Sequence, residues 1–201
     1  MAEIRIPKQK RSIEKKEKII MAANQVFMEK GYFNISTVDI VNASGLSVGV
    51  FYSYFTDKKD VLLACLDRFG GELTENMCNE IESIPDSDDI EDVLIRILSI
   101  LVGFHSKKHL YHNEVKALEY LDEDVKEQIK KMKNAMMDSL LDKLSAYGYY
   151  FPYKEEQVFL IYQMIEGIEE ETASQKSEIL DQDILLIQCT HIIRNMLLEE
   201  K

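Results

Sequence analysis

The sequence has few of the residues that punctuate β structure, and this scarcity narrows the fold class. Its 201 residues include 3 prolines and 8 glycines. β-Sandwiches and barrels need frequent tight turns, so this composition disfavours an all-β architecture. Long apolar runs are also missing: stretches such as Ile97–Leu98 and Ile100–Val102 are far shorter than a membrane-spanning helix. We therefore expect no membrane partner.

Cysteine is equally scarce. Cys65, Cys78 and Cys189 are odd in number and widely spaced, which fits neither a disulfide framework nor a zinc-ligand pattern. The first five residues lack the apolar core and cleavage site of a secretory signal. We expect a cytoplasmic protein with reduced thiols and no metal or other cofactor.

Charge is plentiful but unevenly distributed. Residues 1–60 carry ten Lys or Arg and seven Asp or Glu, whereas residues 61–201 carry fourteen and twenty-nine. A basic front on an acidic body is typical of a protein whose amino-terminal part meets a polyanion, although a solvated terminus gives the same count.

Apolar residues recur at helical spacing along most of the chain. The clearest face is formed by Ile19, Ile20, Ala23, Val26 and Phe27. An acidic, turn-like stretch over 85–89 separates two groups of helices. We predict an all-α fold of about nine helices, with a basic arm and helix-turn-helix domain over residues 1–60 and a second helical domain over 61–201.

The segment 36–55 carries the most specific pattern. Ser36 precedes Asp39 by three residues, which predicts a capped helix over 37–44 in which Val38 and Val41 face inward. Gly45 ends that helix, and a second segment follows over 48–55. Such a pair presents its second helix to a major groove, but a hairpin that packs only for stability has the same spacing.

Residues 37–62, TVDIVNASGLSVGVFYSYFTDKKDVL, closely resemble the DNA-binding signature of the TetR family of transcriptional repressors. The resemblance includes residues 19–23 and 27–32 and covers about a third of the chain, roughly residues 10–66. It implies a dimeric regulator, not an enzyme, that binds a palindromic operator in double-stranded DNA and is released by a small-molecule effector. Control by a protein partner, or by no effector, remains an alternative.

The resemblance also implies which residues touch DNA. Matching DNA-contacting positions are Thr37, Ser47, Gly49, Tyr52, Tyr54 and Lys58. Ser53 is able to donate to phosphate or bases, and Val48 replaces a frequent polar residue and suggests apolar contact with a thymine methyl group. We interpret Lys8, Lys10 and Arg11 as a flexible arm that follows phosphate or the minor groove, with a solvated tail as the alternative.

A single short recognition helix reads too few bases for a specific site, so two copies must pair. The wide apolar arcs of the last two helices suit a dimer interface, although burial within one chain is the alternative. The candidate interface residues are Val158, Ile161, Ile165, Ile187, Ile192 and Met196.

The middle helices enclose an effector site in the fold that the resemblance implies. Its candidate walls are Phe69, Leu73, Leu101, Phe104, Tyr111, Met132, Met136 and Tyr162, which ordinary core packing would also explain. A remaining alternative is a small helical metal enzyme that uses His105, His109 and His112 with Glu114, although a helix break near His109 weakens it.

Overall fold

The structure is a computed structural model that describes residues 9–83, 90–106, 109–146, 148–149, 151–174 and 180–197, without the side chains of 102–106, 109–110, 169–174 and 182. The described residues form nine α-helices and no strand, which confirms the all-α prediction. The helices are α1 (Lys10–Lys30), α2 (Thr37–Ser44), α3 (Val48–Phe51), α4 (Lys58–Glu82), α5 (Ile90–Ser106), α6 (His109–Leu121), α7 (Glu123–Ala146), α8 (Lys154–Ser174) and α9 (Gln182–Leu197).

Local signals set the ends of the helices around the helix-turn-helix. The Ser36 side chain accepts a hydrogen bond from the amide of Asp39, whose carboxylate accepts one from the amide of Ser36, so α2 begins with a complete capping box. Gly45 ends α2 with φ 62°, a left-handed conformation that favours glycine. At the start of α4, Asp57 accepts a hydrogen bond at 2.8 Å from the amide of Asp60.

The second helix of the motif is shorter than predicted. α3 ends at Phe51, and the following residues continue as a tight turn in which the Ser53 and Tyr54 amides donate to the carbonyls of Val50 and Phe51 at 3.2 and 3.0 Å. This tighter winding keeps the Phe51 and Phe55 rings on the buried side, with their centroids 5.9 Å apart.

The chain divides into two compact units, and the division differs from the boundary predicted at residue 60. The first unit takes the described residues of Met1–Gly71 and Leu110–Met132, and the second takes those of Glu72–His109 and Lys133–Lys201. The helix-turn-helix thus shares a unit with α6 and the first part of α7. α4 contributes residues to both units.

Specific contacts join α6 to α1 and to the loop that precedes α2 inside the first unit. The rings of Phe27 and Tyr111 stack with centroids 5.7 Å apart. The carboxylate of Glu114 accepts a hydrogen bond from the amide of Tyr32. This carboxylate lies under Gly31, where a Cβ would come within 2.7 Å of its oxygens. Glycine is favoured at position 31 by its φ of 81°, and a larger residue would also displace this carboxylate.

The second unit is a helical bundle in which α5, α8 and α9 pack against one another. Within it, the buried Gln157 side chain donates to the carbonyl of Met196 at 2.7 Å and ties α8 to α9. All three cysteines fall in the described part of the chain and are free thiols, and burial raises the pKa of Cys189 to about 11. Among the described helices, none has the length and apolar character needed to cross a membrane.

Gly70 allows α4 and α7 to approach closely within the first unit. A Cβ at Gly70 would lie 2.8 Å from Sδ of Met132 and closer still to its Cγ. Its neighbour Gly71 is exposed, and no described atom comes within 4 Å of a Cβ built there. The two adjacent glycines therefore differ in packing although they look equivalent in the sequence.

We expect Gly70→Ala to lower the free energy of unfolding by about 1–3 kcal/mol, because the added methyl group overpacks the contact with Met132. Gly71→Ala, the matched control, should raise it by about 0.5–1 kcal/mol through helix propensity. Urea unfolding of the two variants measures both effects. Equal effects of the two alanines would contradict the close approach. In a Met132→Ala background, the Gly70→Ala substitution should cost much less than it does in the wild-type protein.

Candidate nucleic-acid interface

α3 has a buried back and an exposed front. Phe51 is fully buried, whereas Val48 is 50% exposed and Tyr52 is 45% exposed. Gly49 is exposed between them, and no described atom lies within 4 Å of a Cβ built on it. The outward side of this segment therefore consists of Val48, Gly49 and Tyr52, and we call it the α3 edge. The space in front of Gly49 is open.

Two serines hold this short helix in place. Ser47 accepts a hydrogen bond from the amide of Val50 at 3.3 Å and acts as the N-cap of α3. Ser53 donates to the carbonyl of Val50 at 2.6 Å and fixes the following turn. Both hydroxyl groups that were predicted to contact DNA thus already serve the backbone of α3, although Ser47 keeps a proton to donate.

Two hydroxyl groups converge beside the α3 edge. Oγ1 of Thr37 and the hydroxyl oxygen of Tyr52 lie 3.5 Å apart, at the outer limit of hydrogen bonding. Thr37 is the first residue of α2, where unpaired amides and the helix dipole favour an anion. The structure therefore brings together two of the predicted DNA contacts, at a spacing that suits one phosphate group.

Tyr54 does not lie on the exposed surface where a DNA contact was expected. It is 7% exposed, and its hydroxyl group lies 2.7 Å from Oγ of Ser12. The spacing explains this position, because Tyr54 follows the buried Phe51 by three residues and so shares its side of the helix. The ring of Tyr54 packs in the core and fastens the start of α1.

Lys58 is also engaged inside the protein. Its Nζ donates to the carbonyls of Tyr32 and Ile35, both at 2.8 Å, and lies 4.2 Å from the centre of the Tyr32 ring. Burial lowers the pKa of Lys58, and the charge of Glu114 partly opposes that shift. The half-buried lysine satisfies loop carbonyls between α1 and α2, and its contact with a phosphate stays a prediction.

The predicted flexible arm is in part helical. Lys10 and Arg11 are the first residues of α1, while Lys8 lies outside the described residues. Positive side chains at this end of a helix oppose the helix dipole, which is locally unfavourable and would be relieved by a nearby phosphate.

One basic residue near the motif was not singled out from the sequence. Nζ of Lys18 would lie 4.0 Å from a Cβ built on Gly45, which places it at the turn between α2 and α3. Spacing along α1 could not reveal this contact because it depends on how α1 crosses the motif. Val38, predicted to face inward, is instead exposed.

The predicted effector residues are distributed over both compact units. Tyr111 and Met132 take part in packing of the first unit, and Phe69 is half-buried there. The second unit contains Leu73, Leu101, Met136 and Tyr162, of which the first three are buried. The side chain of Phe104 lies outside the described residues. Contact of these residues with an effector stays a prediction.

Tyr162 is hydrogen-bonded inside the second unit. Its hydroxyl donates to the carbonyl of Lys133 at 2.8 Å, and burial raises its pKa. Lys133 in turn pairs with Glu166 at 2.8 Å.

The histidine cluster of the metal-enzyme alternative falls largely on side chains that the structure does not describe. Side chains of His105 and His109 lie outside the described residues, and the described part of the chain contains no group of three metal-binding side chains. Glu114, the fourth member of that alternative, binds the Tyr32 amide instead.

The predicted dimer residues on α8 and α9 differ in exposure. Ile161 and Ile165 are buried within the chain, and Val158 and Met196 are partly covered. The exposed apolar side chains on these helices are Phe159, Leu160, Ile184, Ile187 and Ile192. Of these, Ile187 and Ile192 belong to the predicted set.

Comparison with known proteins also indicates a DNA-binding transcriptional regulator. Residues 19–65 match the family described as bacterial regulatory proteins, tetR family. A helix-turn-helix-type transcriptional regulator from the lacX 3′ region of Lactococcus lactis is 30% identical over 136 residues, which span 65% of this chain and 68% of that protein.

Two solved structures show the same fold. GusR of Salmonella enterica aligns with a TM-score of 0.68 at 18% identity, covering 95% of this chain and 99% of that one. FadR of Bacillus subtilis in complex with stearoyl-CoA aligns with a TM-score of 0.60 at 20% identity, covering 90% and 98%.

The Ser12–Tyr54 contact predicts that Tyr54 contributes to stability, whereas the exposed Tyr52 does not. Tyr54→Phe should lower the free energy of unfolding by about 0.5–1.5 kcal/mol, because a part-buried hydrogen bond is lost. Ser12→Ala should cost a similar amount, and the double variant should cost less than the sum of the two. Tyr52→Phe is the control and should leave stability unchanged. A double variant with fully additive losses would show that the two hydroxyl groups do not interact.

Proposed function

Because the chain belongs to the TetR family of DNA-binding transcriptional regulators, we propose that it is a homodimeric repressor that leaves a palindromic operator when a small molecule binds. The observation that carries the proposal is the α3 edge, in which Val48, Gly49 and Tyr52 are exposed over a fully buried Phe51. A helix with this arrangement fits a major groove without disturbing its own core.

Phosphate contacts would come from the groups around that edge. Thr37 and Tyr52 offer a pair of hydroxyl groups to one phosphate, and the first turn of α1 offers Lys10 and Arg11. Lys18 adds a charge at the turn between α2 and α3. Such contacts fix the register on the duplex and make affinity depend on salt.

This interface gives a measurable prediction for binding to an operator selected from random duplexes. Thr37→Val and Tyr52→Phe should each weaken binding by about 3–10-fold through loss of one hydrogen bond per half-site. Lys18→Ala should weaken binding and reduce the slope of log affinity against log salt by about 1 per half-site. Fluorescence anisotropy across a salt series measures both quantities.

The control is Tyr54→Phe, which should change stability but not the salt slope. If the purified protein enriches no duplex at all, the proposed function is wrong. Unchanged binding by all three variants would place the DNA contacts elsewhere on the protein.

Dimerisation would use the exposed apolar faces of α8 and α9. Phe159 is 61% exposed and Ile187 is 42% exposed in the single chain, which is unfavourable for large apolar side chains in water. Two helices from each copy, packed about a two-fold axis, would bury them in a four-helix bundle. The buried Gln157–Met196 hydrogen bond supports this proposal because it holds α8 and α9 together as one surface.

We expect Phe159→Glu and Ile187→Glu to shift the protein from dimer to monomer, because each would bury a carboxylate at the interface. Sedimentation equilibrium measures the mass directly. Leu121→Glu is the matched control: Leu121 is 79% exposed at the end of α6, and its replacement should leave the dimer intact. A monomeric wild-type protein, or a dimer that tolerates both Phe159→Glu and Ile187→Glu, would contradict this interface.

The effector is proposed to act through α4, which contributes residues to both compact units. A ligand is able to shift the protein between states only by binding them with different affinity. Since a solved structure of similar fold contains stearoyl-CoA, long-chain acyl-CoA thioesters belong in a thermal-shift screen alongside hydrophobic and cationic compounds. A true effector must stabilise the protein against heat and weaken its binding to the operator. If a protein partner controls the regulator instead, none of these compounds should change its affinity for the operator.

A further inference from the structure

The α3 edge has an unusual shortage of groups that form hydrogen bonds with bases. Residues 47–53 read SVGVFYS and include no Arg, Lys, Asn or Gln. Those four side chains make the bidentate contacts by which proteins identify guanine and adenine in the major groove. Recognition by α3 must therefore depend on something other than paired hydrogen bonds.

The hydroxyl groups of the segment are largely used. Ser53 gives its proton to the carbonyl of Val50, and Ser47 accepts from the amide of that residue. Tyr52 directs its hydroxyl toward Thr37 at the start of α2. Apart from the one proton that Ser47 keeps, the front of α3 presents an exposed isopropyl group on Val48 beside the bare backbone of Gly49.

Only one apolar group marks a base edge in the major groove, the C5 methyl group of thymine. Val48 is the first residue of α3, so its side chain is at the end of the helix that enters the groove most directly. Gly49 adds no side chain that would hold the helix away from the bases.

We propose that Val48 determines sequence specificity by packing against a thymine methyl group in each half-site, so that the protein selects operators by apolar contact. This inference rests on the proposed function and names the base that the recognition helix reads. Val48 is here a specificity residue, while Thr37 and Tyr52 position the helix on phosphate.

The test removes the methyl group from the DNA and leaves the protein intact. A duplex is first selected from a random pool with the wild-type protein, and each thymine is then replaced singly by deoxyuridine, which pairs identically but lacks the methyl group. We expect one position in each half-site at which the substitution weakens binding about fourfold, as for loss of one buried methyl-sized group. Replacing both positions should weaken it about 15-fold.

Two valine variants assign the effect to a residue. Val48→Ala should bind the thymine and deoxyuridine duplexes with nearly equal affinity. Val38→Ala is the matched control, since Val38 is a similarly exposed valine on α2, and it should keep the fourfold preference for thymine. Thermal unfolding of both variants checks that neither change alters the fold.

The outcomes separate this inference from the function on which it rests. If a duplex is selected but no deoxyuridine position matters, the thymine contact is wrong while operator binding stands. If the preference exists but Val48→Ala retains it, another residue reads the methyl group and the assignment to Val48 is wrong. If no duplex is selected, the proposed function fails and this inference fails with it.

Discussion

Burial of the two phenylalanine rings behind α3 is the constraint on which the rest of the site depends. Phe51 is fully buried, and Phe55 lies beside it in the same core. Since α3 has only four residues, it has too few backbone hydrogen bonds to be stable alone. These buried rings set the orientation of α3, and the residues on its opposite side are therefore exposed.

The first unit extends this constraint beyond the helix-turn-helix. Glu114 of α6 reaches the backbone at Tyr32, and Lys58 of α4 satisfies two carbonyls of the same loop. Lys59 pairs with Asp122 at 3.0 Å and with Asp124 at 2.6 Å. The hydrogen bond from Lys59 lowers the pKa of Asp122. The loop between α1 and α2 is thus held from both α4 and α6.

Much of the fold followed from the sequence because its signals are local. The Ser36–Asp39 capping box and the stop at Gly45 appear in the structure where the pattern placed them. The all-α class is confirmed by the nine described helices. The family resemblance is also confirmed, because a helix-turn-helix is specified by a short, continuous stretch of residues.

The sequence does not reveal contacts between elements that are distant in the chain. Tyr54 looks like Tyr52 in the sequence, but it follows the buried Phe51 by three residues and packs on the same side, toward the core. Lys58 looked like a free helix-start cation because its carbonyl partners lie 23 and 26 residues earlier.

The extent of the first unit was equally hidden from the sequence. Residues 110–132 join this unit through contacts such as Phe27–Tyr111 that no periodicity reveals. A helical pattern shows that a segment has an apolar face but does not show which other helix covers that face.

The central claim is that the α3 edge enters the major groove once per chain in a symmetric pair. Hydroxyl-radical footprinting of the wild-type protein on a selected duplex tests it most directly. The account predicts two symmetric protected segments on one face of the DNA, flanking half-sites whose centres are one helical turn, about 34–36 Å, or a multiple of it apart. A single protected segment, or two segments on opposite faces of the duplex, would contradict it.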